Sequence, residues 1–157
     1  MSEGVARLIG LALMLAMAGC AIPRWPVQGP ITSPYGIRFR GILPSIHEGV
    51  DIAVPVGTAI AAMKAGTVVQ AGALGDYGLA VILDHGGHTR SLYGHLSRLD
   101  VQVGERVEGG QRIGLSGQSG NASGPHLHFE ILRRGRSEDP VPLLGGRPKE
   151  TGGGSRP

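Results

Sequence analysis

The residues most able to do chemistry are histidines, and two of the six stand together in His126-Leu127-His128. On a strand, residues two apart share a face, so both imidazoles would be neighbours while Leu127 and Phe129 turn to the core. Neighbouring imidazoles are costly unless they share a metal or a functional cleft. A second setting is His47-Glu48-Gly49-Val50-Asp51, which offers an imidazole and a carboxylate, both suitable zinc ligands. Four residues of straight strand span roughly 13 Å, so both reach one ion only if the chain turns between them, and Gly49 permits a turn. The third is the isolated His95 in Tyr93-Gly94-His95-Leu96. Each setting alone is commonplace. Together, a His, an Asp and a His would leave zinc an open position for water, as in a catalytic rather than a structural site. Two more histidines remain for proton transfer and for stabilising an oxyanion. Spacing does not say which of His126 and His128 would take the metal.

The elements that must position these residues read as strands. Gly accounts for 28 of 157 residues and Pro for 11, a mix suited to tight turns and poor in helix interiors. Short apolar runs such as Ala80-Val81-Ile82-Leu83 and Leu127-His128-Phe129-Glu130-Ile131-Leu132 are bounded by glycines, and no window carries a helical stripe of ten or more residues. The expectation is one mostly antiparallel β-domain, the length being too short for two. His85 and His88 flank Gly86-Gly87 and read as exposed residues of a hairpin turn. Glu130 shares a strand face with the histidine pair, either as a partner holding an imidazole or as a carboxylate at the rim.

Charge and composition exclude one large class. Residues 21–132 hold eight Lys/Arg and eight Asp/Glu, and the net +3 comes from residues 133–157, with six basic and three acidic side chains. A neutral domain with 4% aromatics has neither the basic face nor the stacking platform of a nucleic-acid binder. Residues 145–157 read as a disordered basic tail. At the other end, Arg7 precedes an apolar run over residues 8–19 that is short for a permanent membrane span and closes on small residues, as a secretory signal does. Cys20 is the only cysteine, so it has no disulfide partner. Met17-Ala18-Gly19-Cys20 resembles the lipobox of bacterial lipoproteins, which implies acylation of Cys20, a signal peptide of residues 1–19 and a tether of residues 20–28. Ala21 after the cysteine resembles the outer-membrane sorting pattern. An ordinary cleaved signal is the alternative.

Further landmarks are Ile31-Thr32-Ser33-Pro34-Tyr35-Gly36-Ile37-Arg38, Gly75-Asp76-Tyr77-Gly78, Ser123-Gly124-Pro125 before His126, and Asp139-Pro140. With the histidine motifs in this order, residues 29–144 resemble the lysostaphin-type (LytM) zinc metallopeptidases, which cut peptides of bacterial peptidoglycan. The resemblance implies an antiparallel β-sheet of the duplicated hybrid motif type, forming an open groove with zinc on its floor. It implies His47, Asp51 and His128 as zinc ligands and His95 and His126 as the catalytic pair outside the ligand set. His126 would be the general base toward the attacking water, and His95 its partner, orienting it or stabilising the oxyanion. Some relatives place a tyrosine shortly before the first zinc histidine. Here Phe39-Arg40-Gly41-Ile42-Leu43-Pro44-Ser45-Ile46 has none, which shifts that role to His95 or the ion. The loop 116–123 would wall the groove.

The expectation is therefore a monomeric, exported, lipid-anchored zinc endopeptidase at the periplasmic face of the outer membrane, acting on peptidoglycan stem peptides. The alternative is a non-enzymatic activator of another wall hydrolase, since some LytM domains have lost zinc ligands. A wall-binding module would need an aromatic platform, and Trp25 lies in the tether.

Overall fold

The computed structural model describes residues 22–40 and 42–150. The apolar run 8–19, Cys20 and residues 151–157 lie outside the described residues, and with them the signal peptide, the acylation site and the end of the tail. No helix among the described residues is long and apolar enough to cross a membrane.

The fold is mainly β and antiparallel, as expected. Strands β4 (Val50–Ile52), β11 (Leu127–Arg133), β8 (Thr89–Leu99), β7 (Leu79–Asp84) and β6 (Gly66–Ala73) lie side by side in that order. β1 (Ile31–Ser33) extends the sheet beyond β4, and β9 (Arg106–Val107) extends it beyond β6. β10 (Arg112–Ser116) joins the far end of β8 to β5 (Ala59–Ala61), and β12 (Arg136–Glu138) folds back on β11. A separate hairpin, β2 (Gly36–Arg40) with β3 (Leu43–His47), pairs only with itself. The strands form where β-branched and aromatic residues alternate or cluster, and their inward residues make one core. Val50, Ile52, Val81, Tyr93, Leu127 and Phe129 are fully buried in it. On β11, Leu127 and Phe129 face that core, so His128 and Glu130 are turned to the other face of the sheet.

Two readings change here. His85 is half-buried rather than exposed, while His88 is exposed as expected. The His85 Nδ1–H donates to the Ala65 carbonyl (2.9 Å), which leaves Nε2 to accept from the Ser91 hydroxyl (2.7 Å). Ser91 Oγ in turn lies 2.9 Å from the buried Tyr93 hydroxyl, which accepts from Met63 N–H. Burial lowers the His85 pKa and pushes the Tyr93 phenol up to about 12, favouring the neutral form of each. Ala65 comes from another segment and Ser91 from the strand after the turn, so the turn residues themselves give no sign of this burial.

The tether and the start of the tail are also part of the folded body. Arg24 N–H donates to Met63 O (3.0 Å), Val27 enters the core, and the Trp25 ring packs on Phe129 with centroids 6.1 Å apart. The Trp25 indole N–H donates to Gly146 O (2.8 Å), and Lys149 N–H donates to the Gln28 side chain (2.6 Å). One tryptophan supplies both an apolar face and a donor. It fastens both segments without any periodic pattern.

Candidate active site

Sheet register brings the first two candidate ligands together. Asp51 of β4 lies directly opposite His128 of β11, so the two side chains are cross-strand neighbours on the same face. His47 ends β3, and the chain bends through Glu48-Gly49 before entering β4, which closes the distance that a straight strand would leave open. Gly49 serves this bend through space rather than dihedral freedom. A Cβ there would lie 2.4 Å from the Phe129 carbonyl oxygen and 3.0 Å from His128 Nε2.

The ligand atoms converge. His47 Nε2, His128 Nδ1 and Asp51 Oδ1 are separated by 3.2, 3.2 and 2.8 Å. Zinc bonds of about 2.0–2.1 Å in a tetrahedron imply ligand–ligand edges of about 3.3 Å, so this triangle fits one face of such a site. These three form the one group among the described residues with metal-ligand geometry. Its electrostatics also suit a cation. Burial is the largest influence on Asp51 and would raise its pKa, but hydrogen bonds with His128 and His47 outweigh it and hold the carboxyl well below the usual range. Burial likewise opposes charge on His128, yet its hydrogen bonds to Asp51 and Glu130 raise its pKa to about 9. A cluster that draws a proton this strongly would have to release it to take a metal ion.

Every imidazole is held by its outer nitrogen, leaving the other directed at the centre. The His47 Nδ1–H donates to Pro34 O (2.8 Å), and the His128 Nε2–H donates to Glu130 Oε1 (2.9 Å). The His95 Nδ1–H donates to Ser119 O and the His126 Nδ1–H to Gly124 O, both at 2.8 Å. Such outer contacts fix tautomer and ring angle in metal sites. Because carbonyls only accept, Nε2 of neutral His95 and of neutral His126 each present a lone pair. The two rings meet edge to face with centroids 4.6 Å apart, and His126 Nε2 lies 3.7 Å from Asp51 Oδ1. Burial lowers the His95 pKa, which favours that neutral form.

His95 occupies an unusual backbone position, with φ at 59° in the middle of β8. The register against β7 slips between Leu79↔Leu96 and Val81↔Tyr93, so one extra residue is inserted there. Strain of this kind costs on the order of 1–3 kcal/mol and persists where surroundings enforce it. The Ser119 loop does so: Ser119 O takes the His95 Nδ1–H, while Ser119 Oγ donates to Leu96 O (2.6 Å) and accepts from Leu79 N–H (2.9 Å).

All five sequence candidates, His47, Asp51, His95, His126 and His128, line one groove of about 440 Å³. Cys20 lies outside the described residues. Glu130 is 2% exposed, so it is the imidazole partner and not a rim carboxylate. Sequence reasoning missed Tyr77 and Arg38. The Tyr77 hydroxyl donates to Glu130 Oε1 (2.7 Å), and burial together with that carboxylate raises its pKa. Its only trace in the sequence is its place within Gly75-Asp76-Tyr77-Gly78. Asn121 and Ser123 line the groove, as expected for the loop 116–123.

The chain is similar to known proteins over most of this domain. The description of Peptidase family M23 matches residues 45–140. Over 138 residues the chain is 40% identical to the murein hydrolase activator EnvC of Escherichia coli, an alignment covering 85% of this chain and 32% of that protein. It is 40% identical over 113 residues to the DD-carboxypeptidase/endopeptidase Mpg of Neisseria meningitidis, covering 71% of this chain and 26% of that one. The chain thus corresponds to a third or less of these relatives' length. A zinc-containing peptidase from Vibrio cholerae superposes with a TM-score of 0.72 at 30% identity, covering 80% of this chain and 40% of that one.

Proposed function

Because the chain belongs to peptidase family M23, we propose that it is a zinc-dependent endopeptidase hydrolysing peptide cross-links of bacterial peptidoglycan. The observation that carries this reading is the convergence of His47, Asp51 and His128 at 2.8–3.2 Å, beside two histidines whose Nε2 atoms are free. In this reading His47 Nε2, Asp51 Oδ1 and His128 Nδ1 hold zinc. When bound, the ion supplies Lewis acidity toward a peptide carbonyl and toward water. His126 Nε2 takes the proton of the attacking water as the oxygen–carbon bond forms, and returns it to the leaving amine as the carbon–nitrogen bond breaks. His95 donates from Nδ1 to Ser119 O, and burial lowers its pKa, so it turns Nε2 to the groove and would orient the water.

The test is digestion of purified muropeptides by the protein with and without zinc, beside His128→Ala. New fragments are expected from the zinc-loaded wild type alone. If it releases none, the endopeptidase reading fails. The likeness to EnvC then favours a non-enzymatic activator of another wall hydrolase.

The address is a separate part of the proposal: export, acylation at Cys20 and residence at the periplasmic face of the outer membrane, supported by the resemblance of residues 17–20 to a lipobox. Radiolabelled palmitate should be incorporated by the wild type and not by Cys20→Ala. An unlabelled wild type would point to an ordinary signal.

A further inference from the structure

We propose that Arg38 is a carboxylate-binding residue of the groove, selecting peptides with a free carboxylate next to the scissile amide over neutral glycine bridges. This rests on the hydrolase reading above and names its substrate class. The same alternation that delivers His47 fixes the side on which Arg38 stands. In the β2–β3 hairpin, Gly36 pairs with His47 and Arg38 with Ser45, so these share one face. Ile37 and Ile46 pair on the opposite face and are largely exposed. Arg38, Ser45 and His47 all line the groove.

Among the residues whose side chains the structure describes, Arg38 is the groove's only Lys or Arg. Its Nη1 lies 3.9 Å from Asp51 Oδ2, well beyond the 2.7–2.9 Å of a charge-assisted hydrogen bond. Its Nε is buried, so only the Nη end of the guanidinium can meet a ligand. The oxygen of Asp51 that bonds the imidazoles is Oδ1, so the guanidinium stands beside the cluster without entering it. A planar Nη pair with no short hydrogen bond suits a carboxylate. Of the other acids of the groove, Glu130 is occupied by His128 and Tyr77, and Glu48 and Asp76 are exposed. Peptidoglycan stem peptides carry free carboxylates, and a pentaglycine bridge carries none along its length.

The experiment compares KM for a cross-linked stem peptide with a free carboxylate beside the scissile bond and for the same peptide as its carboxamide, using the zinc-loaded protein. Wild type should favour the acid by about 10- to 100-fold, the range of a hydrogen-bonded charge pair. Arg38→Gln should bring that ratio close to one, and Arg38→Lys should restore part of it. Zinc affinity, read by chelator competition, should be no lower in Arg38→Gln than in wild type. Equal losses on acid and amide would overturn the proposal, as would zinc affinity falling in step, which would make Arg38 a support for Asp51. Should wild type cut neither peptide, the hydrolase reading fails by itself. Calorimetric titration of both peptides into the protein then still reads the preference for the acid, and equal affinities would overturn the clamp.

Discussion

Replacing His126 with alanine should lower kcat by about a hundred- to ten-thousand-fold while leaving zinc bound, the size of effect expected when a positioned general base is removed. His126 stands at the edge of the ligand triangle, and its Nε2 is 3.7 Å from Asp51 Oδ1, against 2.8 Å for His128 Nδ1. With Nδ1 committed to Gly124 O, the ring can carry a proton only at the face toward the groove. His128→Ala should behave differently. It deletes a ligand, leaves Asp51 and Glu130 without their shared partner, and should lose metal and activity together. The measurement is kcat on muropeptides alongside zinc content by atomic absorption. Loss of zinc from His126→Ala would exchange the roles of the two histidines.

A single methyl group at position 49 should damage both fold and site. In Gly49→Ala the new carbon would fall 2.4 Å from the Phe129 carbonyl oxygen and 2.8 Å from Glu130 Cγ. A backbone oxygen held in the β4–β11 ladder cannot step aside, so the bend between β3 and β4 must move off β11. Overpacking of this kind costs about 1–3 kcal/mol, occasionally more. The displacement also separates His47 and Asp51 from His128, so zinc affinity should fall with stability. Chemical denaturation and zinc titration of the variant check this, with Gly109→Ala as control, where a Cβ would meet nothing nearer than 3.4 Å. A Gly49→Ala protein as stable as that control would show that the bend is free to shift.

The chemistry of the groove was legible in the sequence because it is carried by side-chain identity and strand alternation. His128 and Asp51 could be named as candidates before their cross-strand pairing was known. What holds the histidines was not legible. Pro34, Ser119 and Gly124 act through backbone carbonyls, which any residue possesses. Gly49 suggested a turn, but the crowding against Phe129 depends on a strand some eighty residues away. His85 looked like a turn residue because its partners, Ala65 and Ser91, come from neighbouring strands or their flanks. Spacing alone did not choose between His126 and His128, and the resemblance named His128; the strand β11 begins at Leu127, which leaves His126 just outside it.

The contacts of Trp25 with Gly146 and of Gln28 with Lys149 bring the first and last described segments of the domain to one corner. A unit whose chain comes in and goes out at a shared point can be spliced between other segments without spreading them apart. The matched relatives are three to four times the length of their aligned portion. Such a clasp lets the groove be carried between other segments without disturbing the sheet that forms it.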